Sequence, residues 1–258
     1  MKFIGIDIGS TCAKTVVMNE NKEIVLEFVQ PTGWSSVDTA EEIRKKLVEN
    51  DADPAGNVCV ATGYGRVSVP YADKMITEIT CHAMGAVWIF DNKDMTIIDI
   101  GGQDTKIICV EQGFVKDFMM NDKCSAGTGR FLEIMANTLS MRPNEMCELA
   151  REGSGVTISS MCTVFAESEV ISLIGQGEKK ENIAFAVVDS IVRKVAAQAN
   201  RMSEDRSMLC LTGGLCECSY ISEALTKELG MEVKTDPQSR YAGAIGAALG
   251  AVKKGKKN

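Results

Sequence analysis

Two cysteines and three short glycine turns hold the residue types from which chemistry can be built. Cys124 stands in Asn-Asp-Lys-Cys-Ser-Ala-Gly-Thr-Gly-Arg-Phe-Leu, and Cys162 in Ser-Ser-Met-Cys-Thr-Val-Phe-Ala-Glu-Ser-Glu. Each is expected just ahead of a helix. Phe131, Ile134, Met135 and Leu139 recur at helical spacing after the first, and Val170, Ile171 and Ile174 after the second. Glu167 and Glu169 are expected in the first turns of the second helix, where carboxylates suit the positive end. A helix N-terminus offers free N–H groups and partial positive charge, which favour thiolate over thiol and suit an anionic metal–sulfur cluster. Two thiolates per chain are too few for a four-thiolate cluster. If Cys124 and Cys162 are ligands, a second copy of the chain must supply the rest. The expectation is a homodimer with an iron–sulfur cluster on its symmetry axis.

The first glycine turn closes a strand that ends in Asp7. Gly9, Ser10 and Thr11 form it, Cys12 and Ala13 follow, and Lys14 lies on the returning strand. Thr96 to Ile108 repeats this pattern: Asp99 aligns with Asp7, Gly101 with Gly9 and Lys106 with Lys14, around the turn Gly101-Gly102-Gln103-Asp104. That is an internal duplication. Backbone N–H groups in such turns can line up toward a phosphate, and a strand-end aspartate can hold magnesium through its water shell. One such turn alone is weak evidence, since solvated structural hairpins look the same. Two in register, one opening each half, weigh against that. The third turn, Thr212-Gly213-Gly214, follows the buried run Met208 to Leu211 and competes with a plain strand–helix connection.

The elements that must position these residues alternate between strand and helix. Strands are expected over Glu23–Val29, Val58–Ala61 and Glu232–Thr235, and helices over Thr39–Glu49, Thr77–Phe90, Arg142–Arg151, Ile183–Arg201 and Ser219–Leu229. The small residues of Arg240 to Leu249 allow a closing helix to pack tightly. The expected division is a first lobe over 1–92, with 239–258 packing back on it, and a second lobe over 93–238. The fold class is α/β, with mixed sheets flanked by helices.

Composition narrows the function classes. A chain of 258 residues with 45% hydrophobic and 24% charged residues is globular, and a net charge of −7 leaves no basic stripe for nucleic acid. Asp7 interrupts the first apolar run, and Tyr241 to Val252 is too short and too rich in small residues to span a bilayer, so a cytoplasmic protein without membrane contact is expected. Ten cysteines with one histidine and no Cys-x-x-Cys pair offer no zinc-finger ligand set. Cys59, Cys81, Cys109, Cys147 and Cys210 read as small buried hydrophobes. Cys216 and Cys218 are rival ligands that read as structural, and His82 reads as a satisfied helix histidine.

The two Asp-Gly turns and the Thr-Gly-Gly turn resemble the superfamily of acetate and sugar kinases, chaperone ATPases and actin. Within it, residues 98–104, 124–131 and 162–169 resemble the branch of 2-hydroxyacyl-CoA dehydratase activators and benzoyl-CoA reductase ATPase subunits. The likeness covers essentially the whole chain, and the cysteine segments are its most selective part. It implies a duplicated actin-like ATPase fold with ribonuclease-H-like lobes. It also implies one 4Fe-4S cluster per homodimer, held by Cys124 and Cys162 of both subunits and reduced by a ferredoxin or flavodoxin. ATP, bound with Mg2+ and hydrolysed to ADP, would drive one electron into a partner 2-hydroxyacyl-CoA dehydratase.

In that scheme Asp7, Gly9, Ser10, Thr11, Cys12, Ala13 and Lys14 belong to the first phosphate and magnesium cradle, the Cys12 thiol itself being incidental. Asp99, Gly101, Gly102, Gln103 and Asp104 belong to the second, and Gly127, Thr212, Gly213 and Gly214 complete the nucleotide contacts. Gln103 or Asp104 would orient the attacking water. Glu167 either links the cluster helix to the γ-phosphate or is a helix carboxylate with no other task. A small-molecule kinase using the same turns, an ATPase subunit serving a benzoyl-CoA-reductase-type partner, and an actin-like scaffold are the other candidates. Length and cysteine motifs disfavour the last.

Overall fold

The computed structural model describes residues 1–159, 162–202 and 207–255. Its elements begin with β1 (Phe3–Ile8), β2 (Cys12–Met18), β3 (Ile24–Pro31), α1 (Ser36–Glu49), β4 (Val58–Thr62), β5 (Lys74–Met75) and α2 (Glu78–Phe90). They continue with β6 (Met95–Ile100), β7 (Thr105–Glu111), β8 (Phe114–Asn121), α3 (Gly129–Thr138), α4 (Pro143–Ala150), α5 (Thr163–Gly175) and α6 (Lys180–Met202). The chain closes with β9 (Leu209–Gly213), α7 (Ser219–Leu229), β10 (Val233–Lys234) and α8 (Ala242–Gly255). It divides into two compact units, one of Met1–Asp94, Val110–Lys116 and Gln238–Asn258, the other of Met95–Cys109 and Asp117–Pro237.

The first unit is built on a five-stranded sheet of order β3-β2-β1-β4-β5. β2 runs antiparallel to both β1 and β3, while β4 is parallel to β1 and to β5. Every residue of β1 is buried, because helices cover both faces of the sheet. On one face Ile43 and Leu47 of α1 join Ile4, Ile6 and Val17. On the other, α8 lies so close that a Cβ on Gly5 would stand 2.0 Å from the Ala244 carbonyl oxygen. α8 meets α2 just as closely: a Cβ on Gly246 would fall 1.8 Å from the Cys81 carbonyl oxygen. The Gly/Ala-rich end of the chain is therefore a helix whose small residues permit backbone-to-backbone packing.

The second unit repeats the plan with a sheet of order β10-β9-β6-β7-β8, in which β6 pairs with β9, and β9 with β10, in parallel. α6 runs through its core, with Ile183, Val187 and Ile191 packed among Phe131, Leu132 and Met135 of α3 and Ile221 and Leu225 of α7. β8 is the third strand of this half and has no counterpart in the sequence-based expectation. It is an edge strand with no fully buried residue, so no alternation marks it. Cys59, Cys81, Cys147 and Cys210 are buried as expected, whereas Cys109 is only half-buried. No helix among the described residues is long and apolar enough to cross a membrane.

Candidate functional site

The duplication reaches down to side-chain geometry. In the first unit Asp7 ends β1 with Lys14 of β2 on one side and Thr62 of β4 on the other. In the second, Asp99 of β6 stands in register with Thr212 of β9. Each turn is closed alike, the Gly9 N–H donating to the Cys12 carbonyl (3.1 Å) and the Gly101 N–H to the Asp104 carbonyl (2.9 Å). Each fourth strand ends in a Thr-Gly step: Gly63 has φ +83° and Gly213 φ +85°. A Cβ on Gly63 would lie 2.5 Å from Asp7 Oδ1, and one on Gly213 2.7 Å from Asp99 Oδ1. Only glycine admits that backbone and that approach. Thr62-Gly63 is thus the partner of Thr212-Gly213, an alignment that sequence inspection missed although the Thr-Gly step after each strand announces it.

The two aspartates differ in what holds them. Asp99, 1% exposed, accepts from Lys106 Nζ at 3.2 Å and from Thr212 Oγ1 at 3.0 Å. Lys106 also donates to Asp104 at 2.7 Å, so a buried ammonium ties the two carboxylates together. Asp7 is equally buried, but Lys14 Nζ stands 3.9 Å from its Oδ2, and its Oδ1 has no hydrogen-bond partner among the described residues. A buried carboxylate oxygen left unsatisfied is costly. The first turn therefore presents an open carboxylate beside the exposed residues Ser10 and Thr11, and the second presents exposed Gln103 beside a locked Asp104. His82 is buried near Asp7, since a Cβ on Gly243 would stand 2.7 Å from Asp7 Oδ2 and 2.9 Å from His82 Nε2.

Both cysteines belong to the second unit. Cys162 is the N-cap of α5, as expected for a thiol at a helix start. Cys124 is not: it lies four residues before Thr128, the N-cap of α3. The first N–H groups of α3 are engaged elsewhere, Gly129 donating to the Gly101 carbonyl and Arg130 to the Gly102 carbonyl, both at 2.9 Å. Thr105 Oγ1 donates to the Gly127 carbonyl (2.7 Å), and Asn121 Nδ2 to the Cys124 carbonyl (2.9 Å). The loop carrying Cys124 is in this way bolted to the glycine turn after β6. A hydrogen bond of 2.7 Å between Ser125 Oγ and Thr163 Oγ1 joins the residue after one cysteine to the residue after the other.

Glu167 and Glu169 lie in the second turn of α5, not its first. The Thr138 hydroxyl donates to Glu167, which ties α5 to the end of α3, and Glu169 accepts from the Ser159 N–H and hydroxyl. The other thiols are of a different kind. Burial pushes those of Cys59 and Cys81 up to about 12. Cys216 and Cys218 are each 5% exposed, and Cys218 shares a hydrogen bond with Cys147, so this Cys-x-Cys pair is core.

Comparison with known proteins gives one consistent result. The profile of the BadF/BadG/BcrA/BcrD ATPase family matches residues 4–251. The (R)-2-hydroxyglutaryl-CoA dehydratase activating ATPase of Acidaminococcus fermentans is 44% identical over 258 residues, covering 98% of each chain. A crystal structure of the (R)-2-hydroxyglutaryl-CoA dehydratase component A of that organism has a TM-score of 0.93 at 42% identity, over 99% of both chains. The activator of the 2-hydroxyisocaproyl-CoA dehydratase from Clostridium difficile with bound ADPNP has a TM-score of 0.91 at 35% identity, over 100% of this chain and 96% of that one. The fold is the duplicated actin-like ATPase fold that the two Asp-Gly turns imply.

Proposed function

Because the chain belongs to the BadF/BadG/BcrA/BcrD ATPase family, we propose that it is an ATP-dependent one-electron donor that activates a 2-hydroxyacyl-CoA dehydratase. It works in the cytoplasm as a homodimer, with a ferredoxin or flavodoxin as its electron source. Its fit to a shared 4Fe-4S cluster rests on the donor set: one half-buried and one exposed thiol, joined through Ser125 and Thr163, make half of a four-thiolate site. Its fit to magnesium rests on Asp7, whose buried Oδ1 lacks a partner, whereas Asp99 is already held by Lys106 and Thr212. Bound, the cluster supplies a one-electron couple and the magnesium neutralises phosphate charge.

The chain's own residues do the rest. Ser10 and Thr11 in the first unit, and Gly102 in the second, receive phosphates through backbone N–H groups, while the Gly101 N–H closes its turn onto the Asp104 carbonyl. Thr212, Gly213 and Gly214 approach the adenosine. Gln103, exposed at its turn, orients the attacking water, while Asp104 stays on Lys106 and fixes the turn's shape. The observation that carries the coupling is the pair of hydrogen bonds from Gly129 and Arg130 to the carbonyls of Gly101 and Gly102. A phosphate that shifts this turn drags the start of α3 and the Cys124 loop with it, and nucleotide state becomes thiolate position.

Anaerobically purified protein should be brown, with about four iron and four sulfide per dimer. Cys124→Ala or Cys162→Ala should remove the colour, and Cys216→Ala should not. A non-hydrolysable ATP analogue should alter the EPR signal of the reduced protein. Colourless, metal-free protein that phosphorylates a metabolite would instead establish a kinase.

A further inference from the structure

Cys124 lacks the helix N-terminus that serves Cys162, yet a positive charge stands beside it. Lys194, midway along α6, directs its Nζ to Cys124 Sγ at 3.6 Å. Its stem is held in place by the loop it serves, for a Cβ on Gly127 would meet Lys194 Cδ at 3.1 Å. No carboxylate among the described residues pairs with Lys194, whereas its neighbour Arg193 is paired with Asp189 at 2.8 Å. Lys194 also lines a cavity of about 410 Å³ whose other charged walls are Arg193 and Arg201, with no acidic side chain among the lining residues. Its charge is therefore not cancelled locally.

We propose that Lys194 is a positioning residue that fixes the Cys124 thiolate and stabilises the reduced form of the cluster bound there. The inference rests on the cluster reading above and adds to it the source of positive charge on the Cys124 side. One-electron reduction by a low-potential donor adds a single negative charge and no atom, so a fixed ammonium at the sulfur favours the reduced form over the oxidised one. The two ligands of one chain thus differ: helix dipole at Cys162, side-chain cation at Cys124.

The test is a mediated redox titration of the anaerobically purified dimer, read by EPR, for wild type, Lys194→Met and Lys194→Arg, with iron counted in each. Lys194→Met should lose at least tenfold in stabilisation of the reduced form, a midpoint lower by ~59 mV or more. Lys194→Arg should stay near wild type. Iron lost from Lys194→Met but kept in Lys194→Arg also supports the assignment. Equal midpoints in wild type and Lys194→Met, or iron lost from both variants, overturn it while leaving the shared cluster standing. Iron-free wild type would sink the cluster reading itself, and this inference with it.

Discussion

Gly213 and Gly63 show how narrowly the glycine turns are specified. At Gly213 a Cβ would stand 2.4 Å from the Ile100 carbonyl oxygen as well as 2.7 Å from Asp99 Oδ1, and φ is +85°. Gly213→Ala must therefore bear a backbone, φ +85° with ψ −171°, that only glycine adopts readily, roughly 1–3 kcal/mol for a non-glycine residue, and also push Asp99 away from Lys106 and Thr212. The expected result is a melting temperature lowered by about 4 °C or more, at roughly 2–4 °C per kcal/mol for a domain of this size. Affinity for an ATP analogue should fall at least tenfold, by calorimetric titration. Gly56→Ala is the control, with nothing within 4 Å of its Cβ and no positive φ, and should melt like wild type. If Gly213→Ala binds the analogue unchanged, the Thr-Gly step is a connection and no more.

Among the elements, legibility follows burial. α7 was readable from Ser219 to Leu229 because Ile221 and Leu225 face a core while polar residues face water. α8 was readable from its small residues, although only the structure shows what they approach. β5 and β8 were not readable: neither contains a fully buried residue, and an edge strand without a buried face leaves no period in the sequence. The Asp7 and Asp99 turns were visible as a repeat. The difference between them, an open carboxylate against one saturated by Lys106 and Thr212, depends on distances that spacing cannot encode. Nor could it reveal that Glu169 reaches back to Ser159, or that Lys194 of α6 meets a cysteine seventy positions earlier. The α8 packing makes its own prediction. Gly246→Ala drives a methyl group into the Cys81 carbonyl at 1.8 Å, in a helix pair with no slack. Overpacking of this sort costs about 1–3 kcal/mol or more, so the urea midpoint should drop with the slope unchanged. An unchanged midpoint would mean that α8 can slide on α2.

At the scale of the whole molecule, the question is what covers α5. Only Ala166 and Val170 of this helix are buried within the chain, while Val164, Phe165, Ile171 and Ile174 are 67%, 66%, 56% and 45% exposed. Contiguous apolar side chains on the outside of a globular protein mark an interaction surface. Here that surface begins at Cys162, the cysteine that in the proposed cluster would need thiolates from another chain. A second copy, as proposed above, would meet both requirements together, burying the apolar side of α5 and bringing the second pair of sulfurs. Phe165→Glu separates this arrangement from a cluster held by one chain. The carboxylate points outward, so the unit keeps its core and ATP-analogue binding should persist. Burying that charge in an interface is costly, however, and the dimer should fall apart. Light scattering after gel filtration should give the mass of one chain, and iron should disappear with the dimer although both cysteines remain. A Phe165→Glu protein that stays dimeric and keeps its iron would place the cluster away from α5, and the symmetric four-thiolate arrangement would have to be abandoned.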